Sequence, residues 1–507
     1  MRIRWLAIAL ILPLPAAGQT PLSAIEWLGK NSPTVRTGPV LTEPPVSRSA
    51  THPQIDVRPL QALADPVGLV PASVTGLPQE LWQESDGKTL ATQVASVPVR
   101  RYPAMQTLLY TLLLSETRPP ETGGEALLLA RLDRLVAMGA VEPAQTLAET
   151  AGASSNPQRF RRWFDATLLT GEEDKGCAEL SANPTLLPDY GARIFCAVRA
   201  GDWETGALLL EAAHALELLP EAKLNLLDRF LSPEVFEGAP ALPAPAAPDP
   251  LTFRLFETIG EPLPTTTLPV AFAAADLRDL AGWKAQLEAA ERLTRTGALP
   301  PNRLLGLYTE RDPAASGGIW DRVQALQRFE TALDHTSISG VEKTLPAVWQ
   351  AMEEAQIETA FATLFAERLA GLTLEDPAAR AVAWRIQLLS ADYEAAAQTP
   401  PDDSALSLFL AALAQGRPGE APAPTQRAQA IANGFAPDAA LPERVREALE
   451  AGRLGEAILR AMDYFDRGAR GNPVDLSGAI AAMRLVGLED LTRRACLQLM
   501  LLKRSGA

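Results

Sequence analysis

The 507-residue chain carries 46 basic and 61 acidic side chains, a formal net charge of −15. Such a polyanion repels nucleic acid and anionic lipid, and no basic stripe offsets it, so neither is expected as a partner. Hydrophobic residues at 47% and charged residues at 21% exclude a wholly disordered chain, while aromatics at 6% leave the apolar content to Ala and Leu, strong helix formers that let helix axes approach.

Residues 1–18 have the order of a signal peptide: Arg2 and Arg4, an apolar stretch from Trp5 to Leu14, then Pro15-Ala16-Ala17-Gly18 before Gln19. The apolar stretch is too short to span a bilayer, and no later segment reaches the length of one, so the mature chain is expected to have no transmembrane segment. The expected location is the periplasm, with secretion as the alternative. Residues 19–101 are Pro-rich and lack sustained helical periodicity, which reads as an extended arm. Within it, Thr20 and Pro21 suit the N-cap and first position of a short candidate docking helix carrying Leu22, Ile25, Trp27 and Leu28.

After Tyr102 apolar residues recur every three or four positions, and the reading is all-α. Three helical blocks are expected, over 102–231, 251–415 and 416–507. A Pro/Ala-rich linker over 232–250, including Pro240, Pro243, Pro245, Pro248 and Pro250, separates the first two as a semi-rigid spacer. A weaker break at Gly416 to Pro424 precedes the third.

A repeat is the most informative feature. Gly139, Gly171 and Gly201, spaced by about 31 residues, each close a helix, and each is followed five positions later by a small residue: Ala144, Gly176 and Gly206. Gly452 and Ala457 repeat the step. Glycine supplies the turn between antiparallel helices, and the small residue lets the second helix press on the first. In Ala200-Gly201-Asp202-Trp203-Glu204-Thr205-Gly206-Ala207-Leu208, and partly in Ser390-Ala391-Asp392-Tyr393-Glu394-Ala395, the chain resembles the tetratricopeptide family. That resemblance implies an α-solenoid of short helix hairpins presenting an extended surface to a protein or peptide. The general layout also resembles an alphaproteobacterial family of exported Ala-rich proteins.

Signatures of chemistry are sparse. His52, His214 and His335 lie far apart without ligand-spaced neighbours, and neither a nucleophile elbow, a phosphate-binding loop nor a dinucleotide fingerprint occurs. No catalytic residue, metal or cofactor is therefore expected. Soluble lytic transglycosylases combine a long helical superhelix with a catalytic glutamate, commonly in a Glu-Ser pair; Glu84-Ser85 is present, but in the Pro-rich arm. The best local candidate for a binding loop is the segment around Ser316-Gly317-Gly318, which gathers Tyr308, Glu310, Arg311, Ser316, Trp320, Asp321 and Arg322. Its alternative reading is a helix end and a helix start, with Asp321 near the next N-terminus. The acidic runs Glu172-Glu173-Asp174 and Glu353-Glu354 read as structural.

Of three cysteines, Cys177 and Cys196 lie on helices that flank the turn Asn183 to Pro188, at heights about 3 Å apart, so a disulfide is expected between them, against two buried free thiols. Cys496 is the odd thiol. The functional expectation is a non-enzymatic periplasmic scaffold that binds a protein or peptide of the cell envelope; the alternatives are an envelope enzyme acting on peptidoglycan and a purely structural secreted protein.

Overall fold

The computed structural model describes residues 65–99, 102–278 and 280–504. The signal-peptide segment and the docking-helix residues Leu22, Ile25, Trp27 and Leu28 lie outside them. Among the described residues the fold is all-α: 25 α-helices joined by short turns, no strand, and isolated bridges pairing Val67 with Thr117 and Val70 with Ser115. None of these helices is long and apolar enough to cross a membrane.

The hairpins follow the glycine repeat. Gly139 joins helix Gly124–Ala137 to Val141–Thr150, Gly171 joins Pro157–Thr170 to Glu173–Ala182, Gly201 joins Tyr190–Arg199 to Trp203–Ala215, and Gly452 joins Glu443–Glu450 to Leu454–Ala469. All four glycines have φ between 71° and 85°, where a side chain is strained. The small residues lie where the paired helices touch: a Cβ at Gly206 would stand 2.9 Å from Val198 Cγ2, and one at Gly176 2.8 Å from Phe164 Cδ2.

The described end of the Pro-rich segment, 65–99, does not extend as an arm; it folds into the body. Asp86 caps helix Gly87–Ser96 by accepting from the Thr89 amide at 2.8 Å, and Leu90, Val94 and Val97 follow at i, i+4 and i+7, all buried. Arg131, itself buried, donates to the carbonyls of Leu113 at 2.8 Å, Ser115 at 3.0 Å and Val67 at 3.1 Å, tying 65–70 to the end of helix Pro103–Leu114. Burial pushes its guanidinium down to about 10.

This early segment packs against the last helices. Trp82, 1% exposed, lies on Gly455, where a Cβ would come within 2.3 Å of the indole, and the Gly455 amide donates to the Leu81 carbonyl at 3.0 Å. Helix Pro103–Leu114 packs on Glu489–Leu501, with the Ala104 amide donating to Gln498 Oε1 at 2.8 Å. Tyr102 meets Phe465 edge to face at 5.9 Å. The hairpins thus follow the expected all-α, solenoid-like arrangement, and the first described segment in addition meets the last described helices.

The cores cut across the three expected blocks. One runs from Leu77 to Ala275 and continues through Trp384 to Leu499; the second spans Ala273 to Leu389 and takes in Leu502. The linker 232–250 does not act as a spacer, because the first core is continuous across it, with Phe230 before it and Phe253 after. The segment is clasped instead: Arg229 donates to the Pro240 carbonyl at 2.7 Å, and Glu261 accepts from Arg229 at 2.9 Å and from the Leu242 amide at 2.8 Å.

A disulfide joins Cys177 to Cys196, with Cα atoms 4.9 Å apart across the Glu173–Ala182 and Tyr190–Arg199 pair, and Cys496 is free and buried. Closing this loop contributes about 3 kcal/mol in the chain-entropy account. Titration of the denatured, unreduced chain is expected to yield one reactive thiol per molecule. The native chain should yield none, since burial both hides Cys496 and pushes its pKa upward. Three thiols in the denatured chain would show that the bridge does not form.

Candidate functional site

The loop expected to bind a ligand divides between packing and surface. Tyr308, on helix Pro301–Thr309, is fully buried and donates through its hydroxyl to Glu291 Oε1 at 2.6 Å. Arg322, on helix Ile319–Asp334, donates to both Glu291 oxygens at 2.8 Å, and Arg295 adds a contact at 3.2 Å. Burial and the neighbouring carboxylate raise the Tyr308 phenol well above its ordinary range. Asp321 accepts from the Gly317 amide at 2.9 Å and so ties the glycine turn to the helix start. Trp320 packs on Trp283 with ring centroids 5.1 Å apart. Ser316, Glu310 and Arg311 are exposed, the last two paired with each other at 2.7 Å. Glu310 and Arg311 also help line an open, shallow cleft with Leu277, Gln286, Arg303 and Leu307.

A more distinctive surface lies on helix Trp203–Ala215, and the sequence reading did not single it out. This helix buries Gly206, Leu210 and Ala213 against its hairpin neighbours. Three successive leucines cannot all face that side at 100° per residue, so Leu210 is buried, Leu209 half-buried and Leu208 65% exposed. Leu208, Ala212, Ala215 and Leu216 recur at i, i+4, i+7 and i+8 along the outer face. Leu216 is 66% exposed, Trp203 at the helix start 53%, and Leu218 is also exposed. Isolated apolar side chains on a surface are ordinary, but here Leu208 and Leu216 share the outer face, with Trp203 exposed at the helix start and Leu218 in the turn that follows.

The patch has an acidic border. Asp202, Glu204, Glu211, Glu217 and Glu221 are exposed along it, and neither Lys nor Arg occurs from 200 to 222. Asp202 caps the helix by accepting from the Thr205 amide at 3.0 Å, and that bond together with the Thr205 hydroxyl holds its carboxyl below the usual range. His214 is the one weak base of the stretch and pairs with Asp228 at 3.0 Å.

The remaining chemical candidates are dispersed. His335 follows helix Ile319–Asp334, far along the chain from His214, and His52 lies outside the described residues. Glu84 is exposed on a turn beside Gly452, and the Ser85 hydroxyl is buried. In the two acidic runs, Glu173 is buried against Arg254 and Arg199, and Glu353 pairs with Lys503 at 2.9 Å. No grouping of three His, Cys, Asp or Glu able to hold a metal ion occurs among the described residues. No protein-family model, curated protein or solved structure matches the chain.

Proposed function

We propose that the chain is an exported, non-enzymatic scaffold of the bacterial cell envelope that docks a basic, amphipathic segment of a partner protein on the face of helix Trp203–Ala215. The observation that carries this reading is the uncovered apolar stripe of Leu208, Ala215 and Leu216, with Trp203 exposed at the helix start and Leu218 in the following turn, among five exposed carboxylates between 202 and 221. An apolar stripe gains by burial at about 25 cal/mol per Å², and an acidic border steers and registers a Lys- or Arg-rich partner. Export is supported by the order of the first eighteen residues and by the Cys177–Cys196 bridge, since such bonds persist in oxidising compartments. Helix hairpins of tetratricopeptide type are a common frame for such docking, and the Gly201-Asp202-Trp203 turn that carries the resemblance also starts this face.

A photo-crosslinking residue at Ala215, in the full chain, tests it in envelope extract. The expected product is one dominant adduct whose joined segment is basic and apolar at helical spacing. Leu208→Glu combined with Leu216→Glu should cut the adduct at least about tenfold, the loss of hot-spot contacts. Both positions are exposed, so stability should move by no more than about 0.5 kcal/mol. An adduct to an acidic or wholly polar segment, or none at all, would sink the proposal.

A further inference from the structure

A second surface, independent of the Trp203 face, has the opposite character. Between the end of helix Gly87–Ser96 and the helices Glu443–Glu450 and Leu454–Ala469 lies a cleft of about 230 Å³, into which Arg444, Arg460 and Arg467 converge over Leu459 and Tyr464. Three guanidinium groups meeting in one cleft run against the charge of the whole chain. Two of them are held in place. Arg460 donates through Nε and Nη2 to Glu456, a carboxylate 1% exposed that also pairs with Arg453, and among the described residues its Nη1 has no hydrogen-bond partner. Arg467 lies 4.0 Å over the Tyr464 ring and pairs through Nη2 with Asp463 at 3.0 Å and through Nη1 with Asp475 at 3.7 Å. Arg444 is exposed and has no ion-pair partner among the described residues. Of the lining side chains only Asp463 is acidic.

We propose that this cleft binds the carboxylate of an acidic peptide, with Arg444 as its forked donor and Arg460, oriented by Glu456, and Arg467, held by Asp463 and Asp475, as flanking cations. A planar guanidinium matches a carboxylate with two parallel hydrogen bonds. The size of the cleft decides the scale of the ligand: it falls short of the roughly 300–1,000 Å³ of sites for whole small molecules, so it takes a side chain or a chain terminus. Tyr464 and Leu459 offer the methylenes of that group an apolar wall.

The test is titration of the full chain with a tetraglutamate peptide and, separately, with inorganic phosphate, at low salt and at about 0.15 M, where the screening length falls to about 8 Å. Tetraglutamate is expected to bind, more weakly at the higher salt. Arg444→Gln and Arg467→Gln should each weaken it at least about tenfold, as expected for a charge-assisted pair, and Arg444→Lys should recover part of the loss. Because Arg444 is exposed, Arg444→Gln should leave the melting temperature unchanged. Failure of the peptide to bind, or equal affinity in Arg444→Gln, overturns the proposal. Phosphate binding as tightly as the peptide overturns the carboxylate assignment.

Discussion

Trp82→Ala is expected to lower the free energy of unfolding by about 3–5 kcal/mol, the cost of emptying a buried site of aromatic size. The indole is 1% exposed, and its N–H has no hydrogen-bond partner, so packing holds it. Its floor is Gly455, which makes the reciprocal change informative: Gly455→Ala would set a methyl group 2.3 Å from the ring, forcing helix Leu454–Ala469 and the 79–84 turn apart. Each variant should shift the denaturant midpoint markedly. Trp203→Ala serves as the control, because an equally large ring that is half exposed should change stability by no more than about 0.5 kcal/mol. If Trp82→Ala and Trp203→Ala melted alike, residues 65–99 would not be seated on the last helices.

Glu291→Ala should be comparably destabilising, by about 3–5 kcal/mol, because it strands a buried partner set and leaves no replacement. Glu291 is 1% exposed and receives Tyr308, both forks of Arg322, and Arg295. Removing the carboxylate leaves the Tyr308 hydroxyl inside the second core without an acceptor and Arg322 without its counter-charge. Tyr308→Phe deletes one donor while keeping the ring, so its cost should be nearer 1 kcal/mol. Glu310→Ala, on the exposed side of the same loop, should be close to neutral. Urea unfolding of the three variants checks the order, and a Glu291→Ala protein as stable as Glu310→Ala would refute it.

What could be read from the sequence was what depends on near neighbours. Gly139, Gly171, Gly201 and Gly452 carry their own backbone requirement, and the small residue five positions on is a contact inside one hairpin, so the hairpins were legible. The Cys177–Cys196 pairing was legible for the same reason, since both residues belong to adjacent antiparallel helices. Trp82 was not. Its seat lies some 370 residues further along the chain, and the prolines around it suggest an arm to any local reading. The clasped 232–250 segment misled in the same way: its composition describes a spacer, while Arg229 and Glu261 hold it down. In the 307–322 loop, the polar residue types were visible, but the carboxylate that draws Tyr308 and Arg322 inward sits at no motif spacing. The Trp203 face could have been found from Leu208-Leu209-Leu210, because a helix with one buried side cannot hide three consecutive leucines.

The meeting of the first described segment with the last helices also orders events during synthesis. At roughly 5–20 residues per second, Trp82 precedes Gly455 by about 20 to 75 seconds, and through that interval Trp82 lacks the Gly455 side of its seat, while helix Gly87–Ser96 can already pack on Gly124–Ala137. Contacts of such long sequence separation are slow to form, and an apolar stretch that waits is exposed to self-association. Pro71, Pro78 and Pro98 interrupt this stretch, which denies it the unbroken β-forming run that aggregation requires. The proline-rich composition is then a safeguard for the 79–84 turn, which waits for Gly455, and a chain terminated before residue 454 would leave Trp82 without its floor.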